Sequence, residues 1–440
     1  MALIHFLTAS TTRSIARSTG SMSQRNYDYM IKIISTNPAK NYKLIGSVNI
    51  STTRDIKKKV AEAQKAKILW KELGVKKRVE LARPIYKEFL KRKQELALLI
   101  TREMGKPIRE SLDDIDWEAD YFNWFLKNGE KYLSDEVTFK DKKSIHKIVY
   151  EPIGVAGVII PWNFPFNMFI WGVIPNLIAG NTVVLKHSEE CPLTGKLIEK
   201  IMNKSNLPKG VFSEVYGDGK VGALLANQDI DLIWFTGSTK VGKYLYKTAG
   251  KKFIRAVLEM GGSNPAIVFS DINVDKIIEK IFNKRFSNCG QVCDALKRLI
   301  VHQSIFKEVV EKLKHIAESK IIGDPENVET DIGSLVAERQ LKLLEAQVRD
   351  ALKKGAKIVT GGKRPKDLKG AYYLPTILTN IKKNMRVWKE ETFGPVLVVI
   401  PFRKEEEAIK LANDTKYGLG AQIYTKDKKR ALRIASKIQA

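Results

Sequence analysis

The sequence predicts an α/β protein of two three-layer domains in series, each a largely parallel sheet with helices on both faces. Two observations carry that expectation. From residue 152 onward, short apolar runs rich in β-branched residues alternate with stretches of helical periodicity, the pattern of βαβ crossovers. The same rhythm resumes after residue 272, and 440 residues suffice for two such units.

The elements follow in order. Residues 52–72 and 76–130 place apolar side chains at helical spacing, with a turn at Gly74 and a break expected at Pro84. Residues 132–151 shorten to alternating pieces that suggest an exposed hairpin. Strands are expected at 155–160, 182–185, 211–216, 231–235, 256–258 and, closing this first run, 266–269, with helices between most of them. The second set comprises helix 273–286, strand 297–302, helices 304–319 and 334–354, strands 356–360 and 394–401, helix 404–413 and strand 421–425. Residues 154–185 carry no charge over a length that could span a bilayer. Pro161, Pro165 and Pro175 interrupt them, as do Asn163, Asn167, Asn176 and Asn181, so a buried strand, helix and second strand fit better, and no membrane partner is expected.

With 44% hydrophobic and 28% charged residues, disordered and collagen-like chains are excluded. Three cysteines are too few for a disulfide framework and fit a reducing compartment, while five scattered histidines offer no metal-ligand spacing, so no metal is expected. The net charge of +27 concentrates partly in residues 51–100, which carry +9. Its lysines interleave with acids (Lys57-Lys58-Lys59, then Glu62) and lack an aromatic stacking platform, so a solvated surface and no nucleic-acid partner are expected. Residues 1–27 contain no acid and three arginines (Arg13, Arg17, Arg25), the composition of a mitochondrial transit peptide, although Met22 or Met30 could equally open the ordered chain. Residues 1–30 are expected to be a disordered extension, and the location cytoplasmic, or the mitochondrial matrix if that segment is a transit peptide.

Two glycine patterns are incomplete. Gly217-Asp-Gly219-Lys-Val-Gly222 matches a dinucleotide fingerprint, but no acid ends the following strand. Gly237-Ser-Thr-Lys-Val-Gly242-Lys243-Tyr244 approximates a P-loop but puts Tyr244 where a magnesium-ligating hydroxyl is needed. What remains is a strand feeding Gly237 and Ser238 into a helix N-terminus, a geometry suited to a phosphate or to a plain turn. Cys293 follows Gly290-Gln291 in a turn, Glu259 ends a strand beside Gly261-Gly262, and Asn163 lies between Pro161 and Pro165. Each alone is compatible with simple packing or a solvated turn.

Taken together, Pro161-Trp162-Asn163-Phe164, Phe235-Thr236-Gly237-Ser238-Thr239, Leu258-Glu259-Met-Gly-Gly262, Gly290-Gln291-Val-Cys293 and Glu390-Glu391-Thr-Phe393-Gly394-Pro395 resemble the motif set of the NAD(P)-dependent aldehyde dehydrogenases, in the family's order. Leu185-Lys-His187-Ser188 and Gly262-Ser-Asn-Pro265 resemble its succinate-semialdehyde dehydrogenase-like branch. The resemblance implies a Rossmann-like cofactor domain (residues 31–131 and 152–260), an oligomerisation hairpin (132–151) and a catalytic domain (261–440). Cys293 would be the nucleophile, the Asn163 amide and the Cys293 N–H the oxyanion hole, and Glu259 the base that activates the hydrolytic water. Members that pass the acyl group to coenzyme A lack this glutamate, so hydrolysis to the acid is implied. Trp162 and Phe393 would line the nicotinamide end of NAD or NADP, Glu391 would meet the nicotinamide ribose, and Gly237 and Ser238 the pyrophosphate. Lys186, Ser188 and Glu189 would face the adenosine ribose, where the Glu189 carboxylate favours NAD while Lys186 and Ser188 could still accept a 2′-phosphate.

By the same resemblance Trp171, Ser287 and Val292 would line the aldehyde pocket. Trp171 and Ser287 stand where succinate-semialdehyde dehydrogenases hold the distal carboxylate with arginines, so an apolar or aromatic-lined tunnel is an equal expectation. A glyceraldehyde or other sugar or phosphorylated aldehyde is the alternative substrate, and a catalytically silent chain with a basic binding surface the alternative function. Cys289 is expected to be a packing residue. The sequence stops at Lys437-Ile-Gln-Ala440 inside a helix where the family continues through a pocket loop and an interface strand. Weak assembly and weak activity are expected, or a homodimer or homotetramer if that segment is dispensable.

Overall fold

In the computed structural model, which describes residues 31–439, the chain enters through an antiparallel ribbon of β1 (Lys32–Asn37) and β2 (Lys43–Asn49). The segment 1–30, with its transit-peptide composition and alternative start sites, lies outside the described residues. Sequence patterning missed the ribbon, whose reversal depends on Asn37 accepting the Ala39 and Lys40 N–H groups and on left-handed Asn41 and Tyr42.

Four helices follow: α1 (Thr53–Glu72), α2 (Gly74–Lys91), α3 (Lys93–Met104) and α4 (Ile108–Leu133). Thr52 and Asp55 close a capping box at the start of α1. The break expected at Pro84 does not occur, because Pro84 sits on the exposed face of α2, where water can satisfy the carbonyl that loses its partner. The 76–130 stretch divides instead at Arg92 and at Gly105, whose φ of 80° ends α3 just before Pro107 opens α4. Then β3 (Glu136–Lys140) and β4 (Ile145–Ile148) form the hairpin, exposed along its whole length.

The first sheet is parallel throughout: β5 (Val155–Ile159), α5 (Pro165–Ala179), β6 (Thr182–Lys186), α6 (Pro192–Asn203), β7 (Phe212–Val215), α7 (Gly219–Ala226), β8 (Leu232–Gly237), α8 (Thr239–Lys252) and β9 (Arg255–Met260). Its strand order is β7-β6-β5-β8-β9. Winding reverses between β5 and β8, and a crevice opens beyond the carboxyl ends of these neighbours, where doubly wound sheets bind ligands. The uncharged stretch becomes β5, α5 and β6. Its amides are satisfied internally, with Asn181 bonding Asn176 and the Gly154 N–H. Among the described residues no helix is long and apolar enough to cross a membrane.

The second sheet takes up β10 (Asn264–Val268), α9 (Ile278–Phe286), β11 (Leu296–His302), α10 (Phe306–Ser319), α11 (Glu338–Lys353), β12 (Lys357–Thr360), β13 (Thr376–Thr379), α12 (Arg386–Lys389), β14 (Val396–Phe402), α13 (Glu405–Ala412), β15 (Gln422–Tyr424) and α14 (Lys428–Ala435). The order is β12-β13-β14-β11-β10-β15, with only β12 antiparallel to its neighbour. The strand expected at 266–269 therefore belongs here and not with the first run. Patterning also missed β13, a four-residue strand that depends on pairing with β14. One apolar core surrounds this sheet, and two others cover the two faces of the first.

Candidate active site

The turn after β5 carries Pro161 to Phe164, β8 delivers Gly237 and Ser238, and the segment before β11 carries Cys293. Together with Glu391 and Phe393 they surround a cavity of about 260 Å³, whose wall includes Trp162, Asn163, Gly237, Ser238 and Cys293. Trp162 and Phe393 meet edge to face, with ring centroids 5.5 Å apart.

The Cys293 turn is held from several sides. After α9, Asn288, Cys289 and Gly290 take φ values of 52°, 54° and 70° in succession. Gly290 must lack a side chain, since a Cβ would collide with the Gly394 carbonyl. Two left-handed non-glycine residues in a row are costly and need external support. Glu110 supplies part of it by accepting the Asn288 N–H at 2.6 Å. The Asn288 amide donates to the Asn163 carbonyl at 2.9 Å, and the Asn163 amide donates to the Gln291 carbonyl at 3.0 Å. Gln291 in turn accepts the Val336 N–H at 2.9 Å. The fully buried Arg285 guanidinium donates to the carbonyls of Val396 (2.7 Å), Thr392 (3.0 Å) and Gly394, clamping this turn to the segment after Glu391.

Burial above all, then the Asp294 and Glu259 carboxylates, push the Cys293 thiol up to about 11, while the Lys297 ammonium opposes them. Cys289 is buried and its thiol faces the Gly333 carbonyl at 3.7 Å. Glu259 pairs across the sheet with Thr236 and stands outside the cavity wall, half-buried, its carboxyl raised by burial and by Asp294.

At the opposite end, Ser238 caps α8 by accepting the Val241 N–H, which leaves the positive helix terminus facing the cavity. The buried Thr236 hydroxyl on the same wall has no hydrogen-bond partner, so the donors fit a polar, anionic ligand. Glu391 folds back onto Gly261, where any side chain would displace its carboxylate, and accepts the Gly262 N–H at 3.1 Å. Lys186 ends β6, and Ser188 and Glu189 follow it; none of the three lines this cavity. Lys186 pairs with Glu189 at 3.1 Å, and although burial pushes the Glu189 carboxyl up, the Lys186 charge brings it below its ordinary value.

The three expected pocket residues do not converge. Ser287 lines a separate cavity of about 210 Å³ with Arg109, Glu110, Asp113 and Lys320. Trp171, 39% exposed on α5, donates its indole N–H to Glu118 at 2.9 Å. Val292 is half-buried and lines neither cavity.

The sequence motifs and this geometry agree with comparison to known proteins. The aldehyde dehydrogenase family profile matches residues 28–440. The chain belongs to the aldehyde dehydrogenase family. It is 38% identical over 426 residues to a peroxisomal aminoaldehyde dehydrogenase of Pisum sativum, covering 93% of this chain and 83% of that one. It is 35% identical to an NADP-dependent succinate-semialdehyde dehydrogenase of Escherichia coli, covering 92% and 84%. The crystal structure of an aldehyde dehydrogenase from Bartonella henselae superposes with a TM-score of 0.90 at 34% identity, covering 93% and 87%. This aldehyde dehydrogenase is thus an oxidoreductase of a family that uses NAD or NADP. Sequence patterning overlooked Lys297, Glu110, Glu118 and Asn288. Only Lys297, a cation two residues into a buried strand, carries a local signal.

Proposed function

We propose that this chain oxidises an aldehyde to its carboxylic acid through a cysteine thioester that water hydrolyses. The observation supporting this most strongly is the shared network that places Cys293 and the Asn163 amide on one wall of a cavity ending at the α8 N-terminus. Residues 31–131 and 152–260 form the cofactor domain in this reading, and 261–440 the catalytic domain.

A thiol titrating near 11 is ionised in only about one molecule in ten thousand at neutral pH, so attack needs a base. Glu259 takes that proton as the sulfur–carbon bond forms. The resulting oxyanion meets the Cys293 N–H and the second N–H of the Asn163 amide, the first being committed to Gln291. NAD or NADP, when bound, supplies the hydride acceptor that turns the thiohemiacetal into a thioester. Once Glu259 has released this first proton to solvent it can accept a second one from water; hydroxide adds to the thioester, and the Cys293 thiolate leaves as the acid forms. Gly237, Ser238 and Thr236 would hold the pyrophosphate, Trp162 and Phe393 the nicotinamide end, and Glu391 its ribose. Glu189 disfavours a 2′-phosphate, which supports NAD over NADP.

For the aldehyde, Trp171 and Ser287 offer no cation, and Trp171 is committed to the buried Glu118 carboxyl, which also accepts the Asn167 amide at 3.0 Å. This favours a cationic or uncharged tail over succinate semialdehyde. A carboxylate tail is the second reading, supported by Arg109 and Lys320 beside Ser287. Initial rates of nicotinamide reduction against an ω-aminoaldehyde, an uncharged aldehyde and succinate semialdehyde, with both cofactors, test these choices. Turnover confined to succinate semialdehyde would reject the favoured tail. The exposed hairpin supports pairing into a homodimer or homotetramer, which light scattering would measure, and the three free thiols support a cytoplasmic location.

A further inference from the structure

We propose that Lys297 is a positioning residue that joins the Glu391 carboxylate to the Cys293 loop and tunes the reactivity of the thiol. The proposal rests on the reading of Cys293 as the nucleophile and Glu391 as a cofactor ligand. Lys297 is the second residue of β11, and its side chain is only 2% exposed. Its ammonium donates to the Gly262 carbonyl at 2.8 Å, the Cys293 carbonyl at 2.7 Å and Glu391 Oε1 at 2.8 Å. These three acceptors use all three of its donors, so one side chain knots together the segment after β9, the Cys293 turn and the Glu391 segment. A buried cation is tolerated because Glu391 neutralises it, and removing either partner leaves the other charge uncompensated.

The same ammonium lies where its charge acts on the thiol. The charged groups facing Cys293 are Asp294 and Glu259, which disfavour the thiolate, and Lys297, which favours it. Asp294 is partly neutralised by Lys284 at 2.5 Å, and Lys297 itself answers to Glu391 and to the buried Arg285. Lys297 is thus the near cation that offsets two carboxylates at the nucleophile, while it fixes the orientation of Glu391 toward the cavity.

The test is the pH dependence of Cys293 alkylation by iodoacetamide in the cofactor-free protein, followed by peptide mass spectrometry, together with NAD affinity by titration calorimetry. Lys297→Met should move the alkylation midpoint up by about one pH unit and weaken NAD binding about ten-fold. Glu391→Gln should weaken NAD binding by a similar factor, and the double variant by no more than either single one. Lys297→Arg, which keeps the charge, should keep the midpoint, and it serves where Lys297→Met fails to fold. An unmoved midpoint in Lys297→Met, a midpoint displaced equally by Lys297→Arg, or fully additive losses of NAD affinity would overturn the proposal. If Cys293→Ala still oxidises aldehydes, the reading of the nucleophile fails instead, whatever the alkylation profiles show.

Discussion

The Glu110 carboxylate on α4 accepts the backbone N–H of Asn288 at 2.6 Å, across 178 residues of sequence. That bond braces a turn whose next two links are the Asn163 carbonyl and the Gln291 segment leading to Cys293. Burial first, opposed by Lys106, raises the Glu110 carboxyl from 4.5 to about 7. Because the folded state holds this proton more tightly than the unfolded chain, its stabilising effect is complete below about pH 4.5 and is lost as pH rises through about 7. Glu110→Gln should therefore gain stability relative to the parent between these limits, by up to about 3 kcal/mol. Glu110→Ala should lose about 1–3 kcal/mol by orphaning the Asn288 N–H. Chemical denaturation at pH 5 and pH 8 measures both; parallel parent and Gln curves at the two pH values would reject the assignment.

Asn163 is expected to act on the transition state more than on binding. Asn163→Ala should lower kcat about 100- to 1000-fold with little change in aldehyde KM. A loss confined to KM would remove Asn163 from the oxyanion hole.

In the proposed reading Glu118, through Trp171, lies near the aldehyde tail, and its titration tests that placement. Burial foremost raises its carboxyl to about 8, against the hydrogen bonds from Trp171 and Asn167. Ionisation above that value creates the anion that a cationic tail prefers, so kcat/KM for an ω-aminoaldehyde relative to an uncharged aldehyde should rise from pH 7 to pH 9. Glu118→Gln should flatten this ratio. A ratio independent of pH in both proteins would show that the carboxyl does not meet the substrate.

Arg285 is a structural clamp, with its guanidinium brought down to about 9 by burial and spent on main-chain carbonyls. Lysine cannot reproduce a planar fork, so Arg285→Lys should destabilise the protein by about 2–4 kcal/mol and depress activity through the Cys293 turn. Thermal unfolding would register the loss, and an unchanged midpoint would contradict the clamp.

Much of this architecture was legible from residue order because burial on both faces leaves a plain signal. Strands β5, β6 and β8 are short apolar runs found where patterning expects them, and the motif residues Trp162, Asn163, Gly237, Ser238, Cys293, Glu391 and Phe393 line one cavity. Elements defined by distant pairing were invisible: β13 is four residues long, and β1 and β2 depend on a turn geometry set by Asn37 and Asn41. Pro84 misled because tolerance of a proline depends on which face meets water. Lys297, Glu110 and Glu118 escaped notice because each takes its meaning from a partner 49 to 178 residues away: Glu391, Asn288, and Asn167 with Trp171.

The central claim is that Cys293 carries the oxidation. The most direct measurement follows reduced-nicotinamide absorbance for the parent and for Cys293→Ala with NAD and a panel of aldehydes, alongside NAD binding by calorimetry. The account predicts turnover in the parent, its disappearance in the variant, and NAD affinity retained in both. Turnover that survives the loss of Cys293 would contradict it.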